Sequence, residues 1–159
     1  MHERKSYTVE EATLLLERYC IYQDRCHKEV EEKLRKINMI PDAQTLITLH
    51  LLQHNFLNEE RFAKSYVRGK FLIKKWGRNK ITSQLKWKGI SSYNIKTGLQ
   101  EIDDDLYLTT LEKIATKKLP LIKGANHFIK RKKLSTFLIG KGYEYHLVAD
   151  CVTTLFKSL

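Results

Sequence analysis

Between Arg61 and Gln100 the chain places eleven Lys or Arg residues (Arg61, Lys64, Arg68, Lys70, Lys74, Lys75, Arg78, Lys80, Lys86, Lys88, Lys96) and no Asp or Glu. Cationic side chains at this density, with no acid among them, suit a polyanion or an acidic protein surface. Phe62, Tyr66, Phe71, Trp76, Trp87 and Tyr93 are interleaved with them, which marks a folded amphipathic segment and not a solvated basic tail. A merely soluble face mixes both signs. Residues 1–57 hold eight bases and nine acids, 58–102 eleven and three, and 103–159 ten and six, so the net charge of +11 centres on the middle third. With a Debye length of roughly 8 Å in physiological salt, such a field raises encounter rate and local affinity without conferring sequence specificity.

Other chemistry is thinly represented. Cys20, Cys26 and Cys151 are odd in number, and the spacing of the first two matches no usual zinc pattern, so they read as reduced structural thiols. Cys26-His27 has no third member nearby to complete a catalytic set. His50 and His54 share a helix face but lack the glutamate of a zinc-protease motif, Leu51 following His50. Asp103, Asp104 and Asp105 point in different directions if helical and read as N-terminal caps, with a magnesium site as the alternative. No glycine-rich phosphate loop, paired catalytic carboxylates or Ser/His/Asp set is present, so the chain reads as a non-enzyme without cofactor or metal.

Few Gly and Pro, with 30% charged and 42% hydrophobic residues, indicate an ordered helical protein. Met1-His2-Glu3-Arg4-Lys5 leads into no apolar leader, and the longest charge-free run, Ala43 to Asn58, is short and interrupted by polar residues. The expected setting is soluble and cytoplasmic, with no membrane partner.

The elements that must position the basic residues emerge from self-comparison. Val30, Leu34, Asn38 and Met39 recur 51 residues later as Ile81, Leu85, Gly89 and Ile90, and again 53 residues later as Leu134, Leu138, Gly142 and Tyr143. Two apolar residues four apart form a buried helix stripe. Asn or Gly four further on adopts positive φ and ends the helix, and an apolar residue then returns to the core. Around these central helices, Thr8-x-x-Glu11 caps a helix to about Asp24, Asn58 one to about Lys75, and Asp103 to Asp105 precede one to about Lys118. Pro41-Asp42 opens a helix to about His54, Ser91 or Ser92 one to about Ile102, and Glu144 one to about Lys157. The expectation is an all-α chain of three tandem three-helix, helix-turn-helix-like repeats at 1–57, 58–102 (basic) and 103–159. Units of about 50 residues are marginal alone, so stacking into an elongated monomeric array is expected. Leu119 to Ile129 reads as a mobile, partly apolar connection.

At about 100° per residue, Arg61, Lys64, Arg68 and Lys75 fall within roughly 60° of one another, with Phe62, Tyr66, Ile73 and Trp76 about a right angle away on the packing side. In the next helix Ile81 and Leu85 point inward and leave Lys80, Gln84 and Trp87 on a flank. Trp87, between Lys86 and Lys88, is either an exposed anchor or stacking residue or is buried against a neighbouring helix.

Three segments carry a family resemblance. Arg18-Tyr19-Cys20-x-Tyr22-Gln23-x-Arg25-Cys26-His27-x-Glu29-Val30-x-x-Lys33-Leu34 is the first. Asn55-Phe56-Leu57-Asn58-Glu59-Glu60-Arg61-Phe62-Ala63-x-x-Tyr66-Val67-Arg68-Gly69-Lys70 is the second, and Trp76-Gly77-x-x-Lys80-Ile81-x-x-x-Leu85-x-x-x-Gly89-Ile90 the third. Together they closely resemble the bacterial RecX family over nearly the whole chain, with Lys141-Gly142-Tyr143 agreeing more loosely. The resemblance implies three tandem three-helix repeats and a regulator of the RecA recombinase in homologous recombination, DNA repair and the SOS response. Such proteins bind the RecA filament on DNA along its groove and suppress ATP hydrolysis, strand exchange and coprotease activity. Within that expectation Arg61 and Arg68 are the first contact residues, because a guanidinium grips carboxylate or phosphate with two parallel bonds. Lys64, Lys70, Lys75, Arg78, Lys80, Lys86, Trp87 and Lys88 follow, with Lys130, Arg131, Lys132 and Lys133 as a second basic patch. Direct contact with DNA belongs to the same expectation. The alternatives are a sequence-independent nucleic-acid-binding array acting without RecA, and a nuclease accessory using the Asp cluster.

Overall fold

The computed structural model describes residues 5–159; residues 1–4, on which the expectation about an apolar leader falls, lie outside the described residues. Nine α-helices and no strand occur among the described residues: α1 (Val9–Tyr22), α2 (His27–Lys36), α3 (Pro41–Gln53), α4 (Glu59–Leu72), α5 (Arg78–Trp87), α6 (Ser92–Leu99), α7 (Asp104–Lys118), α8 (His127–Gly140) and α9 (Tyr145–Lys157). They follow in three sets of three, as the recurrence implies.

The helix starts obey local chemistry. Thr8 Oγ1 accepts from the Glu11 amide at 3.1 Å, the first bond of a capping box, and donates to the Glu11 carboxylate at 3.2 Å in place of the usual bond from the Thr8 amide. Asn58, Ser91 and Asp103 accept from the amides of Arg61, Asn94 and Leu106 at 2.9, 3.1 and 2.8 Å. The central helices end as their spacing requires, with φ of 58° at Asn38, 78° at Gly89 and 102° at Gly142. At Asn38 the Met39 amide reaches Leu34 O and the Asn38 amide Arg35 O; at Gly142 the Tyr143 amide reaches Leu138 O and the Gly142 amide Ile139 O. These are paired bonds of a Schellman ending. Asn55, φ 59°, ends α3 in the same way, with Phe56 N on Leu51 O and Asn55 N on Leu52 O.

Contacts gather the chain into two compact units. The first comprises residues up to Ser65 together with Lys86–Gly98, and the second Tyr66–Leu85 with Leu99–Leu159. In the first unit Ala12, Leu16, Cys20, Val30, Leu34, Ile47, Leu51 and Leu57 form one buried cluster, lined by Tyr19, Met39 and Phe56 among others. Gly98 of α6 lies so close to α4 that a Cβ there would stand 3.0 Å from Ala63 O. In the second unit Phe71, Ile81, Leu85, Tyr107, Leu111, Leu134, Leu138, Tyr143, Val148 and Val152 are buried. The Tyr107 ring stands 5.7 Å from Phe71 and 5.1 Å from Tyr143. Each large apolar side chain so buried contributes about 1.5–3 kcal/mol.

Three expectations need correction. The helix opened by Asn58 stops at Leu72 and not near Lys75: Lys75 turns to φ 59° and the Trp76 amide closes back on Lys70 O at 3.1 Å. The helical wheel therefore does not extend to Lys75, and Ile73, expected on the packing side, is 78% exposed. The helix opened by the serines ends at Leu99, although Ile102 is still buried. The connection after α7 is shorter than expected, because a 3-10 turn at Leu119–Leu121 continues the helix and Asn126 already caps α8 through the Ile129 amide at 3.0 Å.

Candidate polyanion interface

In the first unit Arg61 is turned inward. Its Nε donates to Asp24 Oδ1 at 2.8 Å, and its Nη2 donates to the carbonyls of Asn55 and Phe56 at 3.0 and 3.1 Å. The guanidinium ties the start of α4 to the end of α1 and to the turn after α3, leaving little of its fork for a partner. Lys64 reaches Glu60 one turn earlier at 3.2 Å, a surface pair of small worth. Lys86 and Lys96 are exposed, and their ammonium groups make no ion pair or hydrogen bond among the described residues. Trp87 is 67% exposed, so it is not buried against a neighbouring helix. Lys28 Nζ lies 3.6 Å from the Trp87 ring centroid and donates to the Trp87 carbonyl at 3.1 Å. Lys88 is partly covered and stands 4.0 Å from Glu29.

In the second unit the two arginines of the basic stretch, Arg68 and Arg78, are also matched to acids. Arg68 pairs with Glu101 at 3.2 Å. Arg78 grips Glu144 at 2.9 Å and Asp104 at 2.7 Å, lies 3.8 Å from the Tyr107 ring centroid, and gives its amide to the Tyr107 hydroxyl at 3.0 Å. The Tyr107 hydroxyl in turn donates to Glu144. Burial, reinforced by this bond to a carboxylate, pushes the Tyr107 hydroxyl far above the ordinary tyrosine range. Glu144, expected as the start of α9, occupies the N-cap position but makes no side-chain cap bond; its carboxylate serves Arg78 and Tyr107 instead.

The lysines of the second unit differ. Lys70 Nζ sits 4.9 Å and Lys80 Nζ 4.5 Å from the Trp76 ring centroid, and Lys70 also lies 5.4 Å from that of Tyr66. Lys74 and Lys75 are exposed. Of the second patch, Arg131 reaches Thr153 at 3.2 Å and Lys133 the Lys123 carbonyl at 2.6 Å, while Lys132 is exposed and Lys130 partly so.

The other candidates occupy structural positions. Cys20 and Cys26 are buried, and burial pushes both thiols up to about 11; Cys151 is shifted in the same direction for the same reason. His50 Nε2 lies 2.7 Å from Glu17, with the His54 ring 4.4 Å from its own. Asp103 caps α7 and Asp104 pairs with Arg78. No group of three or more His, Cys, Asp or Glu among the described residues is placed to hold a metal, and no helix there is long and apolar enough to cross a membrane.

The stretch holding these basic residues has counterparts. Residues 58–99 match the second three-helix domain of RecX, and residues 104–152 match the third. The chain belongs to the RecX family. It is similar to regulatory protein RecX of Clostridium perfringens (strain 13 / Type A), 30% identical over 85% of this chain and 62% of that protein, so it spans less than two thirds of that relative's length. Regulatory protein RecX of Chlorobium phaeobacteroides (strain BS1) is 29% identical over 86% of this chain and 87% of its own. The crystal structure of RecX from Lactobacillus salivarius superposes with a TM-score of 0.81 at 26% identity, covering 92% of this chain and 96% of that one. The two matched domains correspond to the sets that begin with α4 and with α7.

Two features had no readable signal in the sequence. Lys28 meets Trp87 from 59 residues away, and the Arg78–Glu144–Tyr107 cluster joins residues 29 to 66 apart. Neither follows from any local spacing.

Proposed function

We propose that this chain binds the RecA filament on DNA and restrains RecA's ATP hydrolysis, strand exchange and coprotease activity, acting in the cytoplasm as a monomeric, non-catalytic regulator. The observation that carries the reading is that the acid-free basic stretch coincides with the second RecX three-helix domain. On this reading the repeats are 1–57, 58–102 and 103–159. The contact set shifts from arginine to lysine: Arg61 and Arg78 hold the fold, while Lys64, Arg68, Lys74, Lys75, Lys86 and Lys96 meet the filament, with Trp87 as an anchor. Lys130, Arg131 and Lys132 form a second area of contact. Lysines act as point charges toward carboxylates or enclosed DNA phosphates, which suits a repeating partner surface.

The test is RecA ATPase on single-stranded DNA with the protein titrated in, beside direct binding to the same DNA without RecA. Hydrolysis should fall as the protein is added, and Lys86→Glu with Lys96→Glu should raise the amount required at least tenfold while the circular dichroism melt stays unchanged, since exposed charge changes alter stability by less than about 0.5 kcal/mol. The exposed Trp87 among lysines also favours a second reading, a sequence-independent nucleic-acid-binding array. Equal affinity for naked DNA and filament, with ATP hydrolysis untouched, would establish that reading in place of the first.

A further inference from the structure

We propose that the ledge between α8 and the connection leading into it binds an acidic protein segment that carries an apolar residue among its carboxylates. The site consists of Lys118, Leu121, Lys133, Phe137 and Lys141. It goes beyond the reading above and shares no residue with the contact areas named there.

A second acid-free run builds the ledge. From Lys113 to Tyr143 the chain holds nine Lys or Arg residues and no Asp or Glu. Within this run the connection from α7 doubles back along α8. Lys118, at the end of α7, rests its Nζ 4.5 Å from the Phe137 ring centroid. The Lys123 carbonyl accepts from Lys133 Nζ at 2.6 Å, and a Cβ on Gly124 would stand 3.1 Å from the side chains of Ile129 and Lys130. Phe137, Lys133 and Ile129 lie one turn apart on a single stripe of α8. Residues 118–124 therefore run antiparallel beside that stripe and are fastened to it at three points. Leu121, midway along them, is 69% exposed.

The charges on the ledge are held without being cancelled. Lys141 Nζ lies 6.0 Å from the same Phe137 centroid. An aromatic face attracts a cation through its quadrupole but carries no net charge, so both lysines are placed and neither is neutralised. Their ammonium groups stand no more than about 10.5 Å apart, the sum of the two distances to that centroid. Two carboxylates of one short peptide reach both. Lys133 uses one of its three N–H donors on the Lys123 carbonyl and keeps two. No carboxylate among the described residues pairs with Lys118, Lys133 or Lys141.

A protein segment suits this arrangement better than a nucleic acid does. Leu121 is aliphatic and has no π face on which a base stacks, and the partly buried Phe137 ring already carries two lysines. An acidic peptide supplies both halves of the complement: carboxylates for the ammonium groups, and an apolar side chain to take Leu121 out of water. Ammonium point charges impose no fixed angle of approach, so they accept a flexible segment that orders as it binds.

The probe is a fluorescein-labelled peptide of three Glu-Glu-Leu-Glu repeats, titrated with the full chain at low salt and followed by anisotropy. Binding should saturate, and a peptide with serine in place of each leucine should bind at least fivefold more weakly. Lys118→Gln with Lys141→Gln keeps the aliphatic stems on the Phe137 ring while removing both charges, and should weaken binding at least tenfold. Leu121→Ser, at an exposed position, should weaken it at least threefold with an unchanged circular dichroism melt. Lys33→Gln with Lys36→Gln, on α2, removes the same charge from the first unit and should alter affinity less than twofold. Absence of saturable binding, or unaltered affinity in the Lys118/Lys141 variant, would overturn the proposal. Equal binding of the serine peptide would overturn it too, reducing the ledge to a solvated basic face. An oligothymidylate of equal charge that displaces the label at lower concentration than the unlabelled peptide would overturn it in favour of a nucleic-acid site. Because neither RecA nor DNA takes part in the peptide titration, its failure is distinguishable from failure of the ATPase test.

Discussion

Arg61 in the first unit and Arg78 in the second both belong to the basic stretch, and both turn away from it to hold distant segments together. They do so by different means. Arg61 meets one carboxylate and two backbone carbonyls, groups that can be satisfied by water if it is lost. Arg78 meets two carboxylates, lies over Tyr107, and shares Glu144 with the Tyr107 hydroxyl, so that removing one member leaves the others half-buried without partners. The glycines beside them differ in parallel. Gly98 leaves 3.0 Å between an added Cβ and Ala63 O, whereas Gly77 leaves 2.3 Å to the Gly142 and Tyr143 backbone. The second unit is built on closer backbone contact and a tighter charge network, which makes it the less tolerant of the two.

The sharpest way to break this comparison is Gly77→Ala. A methyl group there displaces backbone on the facing strand of chain, and the expected loss is about 3 kcal/mol or more in urea denaturation, against about 1–2 kcal/mol for Gly98→Ala. Equal losses would show that the two close approaches are equivalent. Next in size is Glu144→Gln, which strips the charge shared by Arg78 and Tyr107 and should cost about 2–3 kcal/mol by the same measurement. Arg61→Ala should cost about 1 kcal/mol. If Arg61→Ala proved the more damaging, the contrast between the networks would be reversed.

A pH titration adds a prediction confined to the first unit's thiols. Cys20 and Cys26 stay protonated in the fold because burial pushes them up to about 11, above an unfolded thiol near 8.5. Their contribution is complete below the unfolded value and is lost as pH rises through about 11, so alkaline stability should decline across that window. Alkylation by iodoacetamide at pH 8 should accordingly be slow in the folded protein and fast in urea. The smallest effect concerns Lys75, an L-residue held at φ 59°. Lys75→Gly relieves that backbone and should raise stability by up to about 1 kcal/mol, a change visible as a shift in the urea midpoint.

Much of the helical frame was legible from residue order because caps and stripes are local. Thr8, Asn58, Ser91 and Asp103 bond amides three residues on, and Asn38, Gly89 and Gly142 need only their own backbone freedom to end a helix. Lys75 was misread for the complementary reason. No residue type marks a lysine for positive φ; there the Tyr143 hydroxyl, 68 residues away, donates to the Lys75 carbonyl at 2.9 Å. The basic stretch was equally plain, but the standing of its members was not. Arg61 and Arg68 looked foremost because of what a guanidinium can grip, and the same property lets acids elsewhere in the chain claim them first.

By itself, then, the sequence determined the amount and sign of charge, the helix order, the central-helix endings and the family, since each depends on composition or on residues within about one helical turn. Tertiary structure alone decided which charges remain available. A carboxylate such as Glu144 or Asp24 reaches its arginine only after the intervening helices have packed, and an indole such as Trp76 holds two ammonium groups only once its own turn is closed. Neutralisation acts over a few ångströms in space, and separation along the chain carries no record of that distance.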